Sequence, residues 1–195
     1  MRLLLLDNYD SFTWNLHHLL VPEAEVDVVR NDRITVDEAA RYDAIVLSPG
    51  PGLPGEAGIM MALLHRVMPT HPVLGVCLGM QAIVEACGGS LYNQPRVKHG
   101  VAVPCTPTEP CDPLFADIPS PFDVGLYHSW AVDPAVMPPM LRPTAWSADG
   151  VMMALRHTQH AVCGVQFHPE SVLTPHGPQL VRNWLATCRT GNGQG

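Results

Sequence analysis

The chain has 195 residues, 47% of them hydrophobic, and a formal net charge of −7 from 11 basic and 18 acidic side chains. That length suits one domain with a sizeable core, and the absence of any basic run argues against a nucleic-acid partner. Leu3–Leu6 is too short an apolar run to cross a membrane and carries no signal-peptide cleavage pattern, so the six cysteines are expected as free thiols in a reducing cytoplasm.

Residues 2–7 read as a buried strand ending in Asp7-Asn-Tyr-Asp-Ser11. Asp10 or Ser11 is placed to cap a helix running to about Leu20. Glu25-Val-Asp-Val-Val29 alternates as a strand does, and Thr35-Val-Asp-Glu38 is a capping box that opens a short helix. Ala44–Leu47 is a second buried strand and runs into Ser48-Pro-Gly-Pro-Gly52. A helix is expected over 56–67, a strand over 72–76, and a helix after Cys77 that stops at Gly88-Gly89. Strand alternating with helix implies an α/β fold with a mostly parallel central sheet flanked by helices.

After Gly89 the pattern turns to strands: Val97–Val103, Val124–His128, Leu141–Trp146, Val151–Arg156 and Val162–Phe167, with Ala148-Asp-Gly150 as a hairpin turn. They imply an additional small antiparallel sheet. Many of the 20 prolines fall in 104–143, which reads as edge strands and irregular connections within one domain, residues 1–190. A last helix is expected over about 175–188, and residues 191–195 form a frayed tail.

The chemistry concentrates at Gly75-Val-Cys-Leu-Gly79. Small residues two before and two after Cys77 let the chain turn tightly from strand to helix, as in a nucleophile elbow. The sulfur then sits at a helix N-terminus, where the dipole favours the thiolate, the reactive form. None of the other five cysteines has this setting, and no CxxC pair supports zinc or dithiol chemistry. Two further motifs follow strand ends, where ligand sites of open α/β sheets lie. One is Ser48–Gly52, whose Gly50 and Gly52 allow backbone N–H groups to approach a ligand. The other is Gly164-Val-Gln-Phe-His-Pro-Glu170, in which His168 and Glu170, two apart in an extended segment, share one face. Taken singly, His168 reads as a loop histidine and Glu170 as a helix cap. Beside Cys77 they read as base and orienting carboxylate. The Leu78 N–H is a candidate oxyanion donor, and Gln81 shares the helix face of the thiol.

Ser48–Gly52, Gly75–Gln81 and Gln166–Glu170 together resemble the triad-type, class I glutamine amidotransferases, over nearly the whole chain. Asp7–Thr13, Val29–Asp32, Tyr127-His-Ser-Trp130 and Glu170–Gly177 resemble, more narrowly, the glutaminase subunits of anthranilate synthase and aminodeoxychorismate synthase. The resemblance implies that glutamine is the substrate, that Cys77, His168 and Glu170 are catalytic, and that a γ-glutamyl thioester forms on Cys77. It implies oxyanion binding by the Gly52 and Leu78 N–H groups, and glutamine binding at Gly50, Gly52, Gln81, Ser129 and Trp130. Ammonia would pass to a partner synthase subunit that aminates chorismate, in tryptophan or folate biosynthesis. No metal or organic cofactor is expected in this chain. Three features depart from the pattern: Trp130 replaces a smaller apolar residue, Lys98 precedes His99-Gly100 where Val101 stands in place of a lysine, and the link around Leu19–Pro22 is short. A stand-alone γ-glutamyl cysteine hydrolase and a non-catalytic binding module are the competing readings; the latter has no need of all three triad residues.

Overall fold

Four consecutive leucines, Leu3–Leu6, form the centre of β1 (Arg2–Asp7), and all four are fully buried. Side chains alternate across a strand, so a run with no polar residue must be covered on both faces. Leu3 and Leu5 pack with α1 (Thr13–Leu20) and α5 (Gly177–Gly191) through Leu16, Leu20, Leu180 and Trp184. Leu4 and Leu6 pack on the opposite face with α3 (Met60–Val67) and α4 (Leu78–Ala86) through Leu63, Leu64, Met80 and Ile83. Ala44–Leu47, as β3, is buried throughout for the same reason.

The computed structural model describes residues 1–191. Besides β1 and β3, its strands are β2 (Glu25–Arg30), β4 (Val73–Val76), β5 (Leu91–Pro107), β6 (Phe122–Val132), β7 (Leu141–Ser147), β8 (Met152–His157) and β9 (Val162–Val165). They form one sheet in the order β2-β1-β3-β4-β9-β8-β7-β5-β6. The first five are parallel, a doubly wound order, and the rest pair antiparallel. The antiparallel strands therefore continue the main sheet through β8 and β9 rather than lying apart from it. Among the described residues no helix is long and apolar enough to cross a membrane.

Local chemistry explains where elements start and stop. The Thr35 capping box forms, with the Thr35 hydroxyl accepting from the Glu38 N–H and the Glu38 carboxylate accepting from the Thr35 N–H, and it opens α2 (Val36–Ala39). Asp10 does not cap α1: its carboxylate accepts from the Phe12 N–H at 2.8 Å, and Phe12 takes the cap position without a side-chain bond. Asp7 holds this turn by accepting from Tyr9 N–H and the Thr13 hydroxyl, both at 2.9 Å. The expected helix over 56–67 is divided into a 3₁₀ turn, Pro54–Glu56, and α3, because Gly58 between them adopts φ +53 against the Asn31 backbone. β5 is far longer than Val97–Val103 and runs through Pro95, Pro104 and Pro107, with bulges between Asn93 and Lys98 and between His99 and Val101. β9 stops at Val165, two residues before the expected end, and α5 runs to Gly191. The Ala148-Asp-Gly150 turn joins β7 to β8 with Gly150 at φ +81. Of the expected tail, residues 192–195 lie outside the described residues, while Gly191 belongs to α5.

The long connection from β5 to β6 is anchored by one buried carboxylate. Asp112 accepts from Arg156 Nε at 2.6 Å and Nη2 at 2.7 Å, from Arg142 at 3.3 Å and from the Leu114 N–H at 3.0 Å. Burial alone would raise its pKa, but the Arg156 hydrogen bond and the charges of both arginines outweigh it and hold the carboxyl below its usual range. The paired carboxylate therefore stabilises the fold above about pH 4. That contribution is lost as pH falls through the lowered value. Asp112→Ala leaves the Arg156 guanidinium unpaired and should cost about 3 kcal/mol. Urea denaturation is the check: the variant midpoint drops at neutral pH, and the gap to wild type narrows as the solution is acidified.

Candidate active site

The parallel strands β1, β3, β4 and β9 all end at the same edge of the sheet, and each delivers one part of the site. β1 leads into Asn8, β3 into Ser48, β4 into Cys77 and β9 into Gln166. A buried network ties these ends together. The Asn8 N–H donates to Ser48 Oγ and its side-chain amide to the Ser48 carbonyl, both at 2.9 Å, while Asn31 donates to Asn8 Oδ1 at 3.0 Å. A Cβ at Gly50 would come within 2.6 Å of Asn8 Cβ, so glycine there lets the Ser48–Gly52 loop lie directly on the β1 end.

Cys77 stands between β4 and α4 at φ +51, a conformation rare for a residue with a side chain. Its glycine neighbours make the turn possible by contact as well as by torsion. A Cβ on Gly75 would lie 2.4 Å from the Gly79 carbonyl carbon, and one on Gly79 would lie 2.5 Å from the Leu47 oxygen. The Cys77 N–H donates to Val165 O at 2.8 Å, and the Gln81 N–H closes the first helical turn onto Cys77 O at 3.1 Å. The Leu78 N–H, in the first turn of α4, has no intrahelical acceptor to reach.

His168 and Glu170 meet, with Nδ1 2.7 Å from Glu170 Oε1 and both side chains almost wholly buried. The geometry differs from the extended segment expected from spacing. Residues 166–170 form a turn after β9, in which the His168 N–H donates to Gly125 O, the Ser171 N–H donates to His168 O, and the Thr174 hydroxyl donates to the same carbonyl. The rings of Phe12 and Tyr127 flank the His168 imidazole at 5.3 and 4.9 Å. Burial opposes protonation of His168, but hydrogen bonding to Cys77 and Glu170, with the charge of both groups, raises its pKa to about 10. Its Nε2 has no partner of good hydrogen-bond geometry among the described residues, although the sulfur is near enough to act on it. A positively charged imidazole carries a proton to give to a leaving group.

Gly50, Gly52, Cys77, Gln81, Ser129 and Trp130 line a common cavity of about 170 Å³. Leu78, His168 and Glu170 are buried and do not line it. The volume lies below the roughly 300–1,000 Å³ of sites for drug-sized ligands, which suits a substrate of amino-acid size. Gly52, at φ +74, sits over the Glu56 carboxylate, which accepts from the Leu53 N–H at 2.9 Å and fixes the loop. Pro51, Tyr127 and His128 also line the cavity, and sequence reasoning assigned them no part; Pro51 stood within the Ser48–Gly52 motif and the other two within Tyr127–Trp130. His128 is kept neutral, its pKa lowered to about 4 by burial and by the charges of His168 and Lys98, although its hydrogen bond to Trp130 O opposes the shift. Its Nδ1 therefore carries the proton and donates to the Trp130 carbonyl at 2.8 Å. Gln166 was also missed, and it contacts Cys77: its Nε2 is 3.5 Å from Cys77 Sγ. Among the described residues no group of three or more His, Cys, Asp or Glu has metal-binding geometry.

The glutamine amidotransferase class-I family model matches residues 4–188. A relative named anthranilate synthase component 2, from Azospirillum brasilense, is 44% identical over 198 residues, covering 96% of this chain and 96% of that protein. A relative named aminodeoxychorismate synthase component 2, from Escherichia coli strain K12, is 42% identical, covering 94% of this chain and 98% of that protein. Another curated relative, 41% identical, is longer, and this chain spans 32% of its length. The solved structure of a glutamine amidotransferase from Thermotoga maritima superposes with a TM-score of 0.74 at 15% identity, over 96% of this chain and 97% of that one, a likeness of fold.

Glu170→Gln removes the carboxylate charge and keeps its shape. Titration of His168 followed by NMR should then move from about 10 toward the ordinary value near 6.5. An unmoved midpoint would mean that Glu170 does not hold the proton there. Because folding raises the His168 pKa, the pair's stabilisation is complete below about pH 6.5 and fades as pH rises through about 10. The difference in stability between wild type and the variant should therefore shrink at alkaline pH.

Proposed function

The chain belongs to the class I glutamine amidotransferases, and we propose that it is the glutaminase subunit of a chorismate-aminating synthase, anthranilate synthase in tryptophan biosynthesis being the first reading. The observation that carries the chemistry is a single one. The Cys77 elbow opens into the cavity of Gly50, Gly52, Gln81, Ser129 and Trp130 and is backed by a His168–Glu170 pair 2.7 Å apart.

In this reading Cys77 Sγ attacks the side-chain amide carbon of glutamine. His168 takes the thiol proton and passes a proton to the amide nitrogen as the C–N bond breaks and ammonia departs. A γ-glutamyl thioester remains. Water then gives a proton to His168 and adds to the acyl carbon, the C–S bond breaks with its electron pair returning to sulfur, and glutamate leaves. Glu170 orients the imidazole and stabilises its positive form. The Leu78 and Gly52 N–H groups receive the oxyanion, the first reinforced by the α4 dipole. Gln81 and the Ser129–Trp130 backbone hold the amino-acid end of the substrate, with Gly50 closing the wall. The ammonia acceptor, chorismate, is bound by a partner subunit, and both act in the cytoplasm. The chain itself needs no metal or cofactor for these steps.

Aminodeoxychorismate synthase, in folate biosynthesis, is the second reading. Identity to the relatives bearing the two names is 44% and 42%, too close to separate them. The acceptor is selected by the synthase partner, whose residues are not in this chain. A stand-alone γ-glutamyl hydrolase draws support only from the triad, which it would share.

Cys77→Ala should abolish glutamine-dependent product formation in the complex while leaving synthesis from added ammonium salts intact. Glutamine turnover that survived in this variant would remove Cys77 from the chemistry. The assay that separates the readings supplies each synthase partner with chorismate and glutamine and identifies the product. Anthranilate places the chain in tryptophan synthesis and aminodeoxychorismate in folate synthesis. Turnover by the isolated chain should be low and rise on adding the cognate partner. Equal turnover with and without either partner would favour the stand-alone hydrolase.

A further inference from the structure

Gln166 belongs to the motif that delivers His168, yet nothing in the triad chemistry uses it. Its side chain is fully buried at the end of β9, where its backbone N–H donates to Met153 O at 2.8 Å. A buried primary amide has two N–H donors and an acceptor oxygen to satisfy. The partners found here form a directed chain. The Trp130 carbonyl can only accept, and it takes hydrogen bonds from His128 Nδ1 at 2.8 Å and from Gln81 Nε2 at 2.9 Å. That contact fixes which end of the Gln81 amide is nitrogen. Its NH₂ group also donates to Gln166 Oε1 at 3.2 Å. The Gln166 NH₂ group is thereby left facing Cys77 Sγ at 3.5 Å. Flipping Gln166 would set two NH₂ groups against each other and an amide oxygen against the sulfur, so the network admits one orientation.

We propose that Gln166 is a second functional amide of the site: it donates a hydrogen bond to the Cys77 sulfur and thereby couples the charge of the nucleophile to Gln81 in the substrate cavity. A donor aimed at sulfur stabilises the anion more than the thiol or the thioester. It therefore assists where the sulfur becomes negative. That state is collapse of the second tetrahedral adduct, when the C–S bond breaks and its electron pair returns to Sγ. Because Gln81 lines the cavity and pins the Gln166 amide, a substrate that engages Gln81 also tightens the donor on sulfur.

The inference rests on Cys77 being the nucleophile, and alkylation tests it separately from glutamine turnover. The rate of Cys77 carboxamidomethylation by iodoacetamide is measured against pH in the intact chain, for wild type, Gln166→Leu and Gln166→Met, with folding checked by circular dichroism. A lost hydrogen bond to a charged group corresponds to a midpoint displaced upward by about one pH unit. Gln81→Met, which frees the Gln166 amide to rotate, should displace it in the same direction by less. In the complex, Gln166→Met should lower kcat for glutamine by about tenfold, the factor that matches one pH unit. A purely structural Gln166 would lower stability and leave the alkylation midpoint where it is. That result in either folded variant, Leu or Met, overturns the proposal.

Discussion

The close approach of α4 to the sheet is the constraint on which the rest of this molecule depends. Gly75, Gly79 and Gly164 are the contact points. A Cβ on the first would strike the α4 backbone, one on the second the Leu47 carbonyl, and one on the third Met80. With these three positions bare, the helix lies directly against β3, β4 and β9, and its N-terminus is driven to the edge where those strands end. The turn that connects β4 to it must then be made in a single residue, and that residue is Cys77 at φ +51. Such a backbone costs about 1–3 kcal/mol. It persists because the apolar side chains of α4 are buried against strands on one side and α3 on the other. The same packing that forces the strain presents the sulfur to the cavity.

Around that fixed point, polar groups are placed by backbone atoms more than by each other. Ser48 is held by Asn8, Gln81 and His128 by the Trp130 carbonyl, and His168 by backbone bonds to Gly125, Ser171 and Thr174. Backbone carbonyls at strand ends can only accept, so they dictate tautomer and amide orientation in everything that touches them. This is how one short stretch of β6 sets the tautomer of His128 and, two hydrogen bonds further on, which face of Gln166 the Cys77 sulfur meets.

Much of this was legible in the sequence, for reasons that can be stated. The Leu3–Leu6 run has no polar face, so it had to be a central strand. The Gly-x-Cys-x-Gly spacing reports a steric requirement, and the 2.4 and 2.5 Å approaches of the two virtual Cβ atoms are that requirement measured. Six of the expected substrate-site and nucleophile positions line one cavity because each follows a strand end or faces one. What was not legible depended on contacts made at a distance. Asp10 or Ser11 was expected to cap α1, but Phe12 takes the cap position and Asp7 accepts from Thr13, six residues on, to hold the turn. β5 was read as Val97–Val103 only, whereas pairing with β6 and β7 carries the strand on either side of that segment, through Pro95, Pro104 and Pro107. Asp112 was invisible, since its role requires Arg142 and Arg156 from strands that follow it by some 30 and 44 positions. Gln166 stood inside a recognised motif, but only its distance to the sulfur shows what it touches.

The two histidines at the cavity show how little of the chemistry lies in residue type. His128 and His168 are both buried, and each has its Nδ1 satisfied, one by a carbonyl and the other by a carboxylate. A carbonyl fixes the tautomer without supplying charge, so burial dominates and His128 stays neutral. A carboxylate brings a full negative charge, and with the sulfur on the other side it overcomes the same burial and keeps His168 protonated. Opposite shifts in neighbouring groups of one kind assign their roles: the protonated imidazole is equipped to serve the leaving nitrogen, and the neutral one to hold the wall of the cavity without competing for the proton. The Cys77 sulfur on one side of the His168 ring and the Glu170 carboxylate on the other, brought there across a turn instead of along a strand, are therefore what separates a charged histidine from a neutral one.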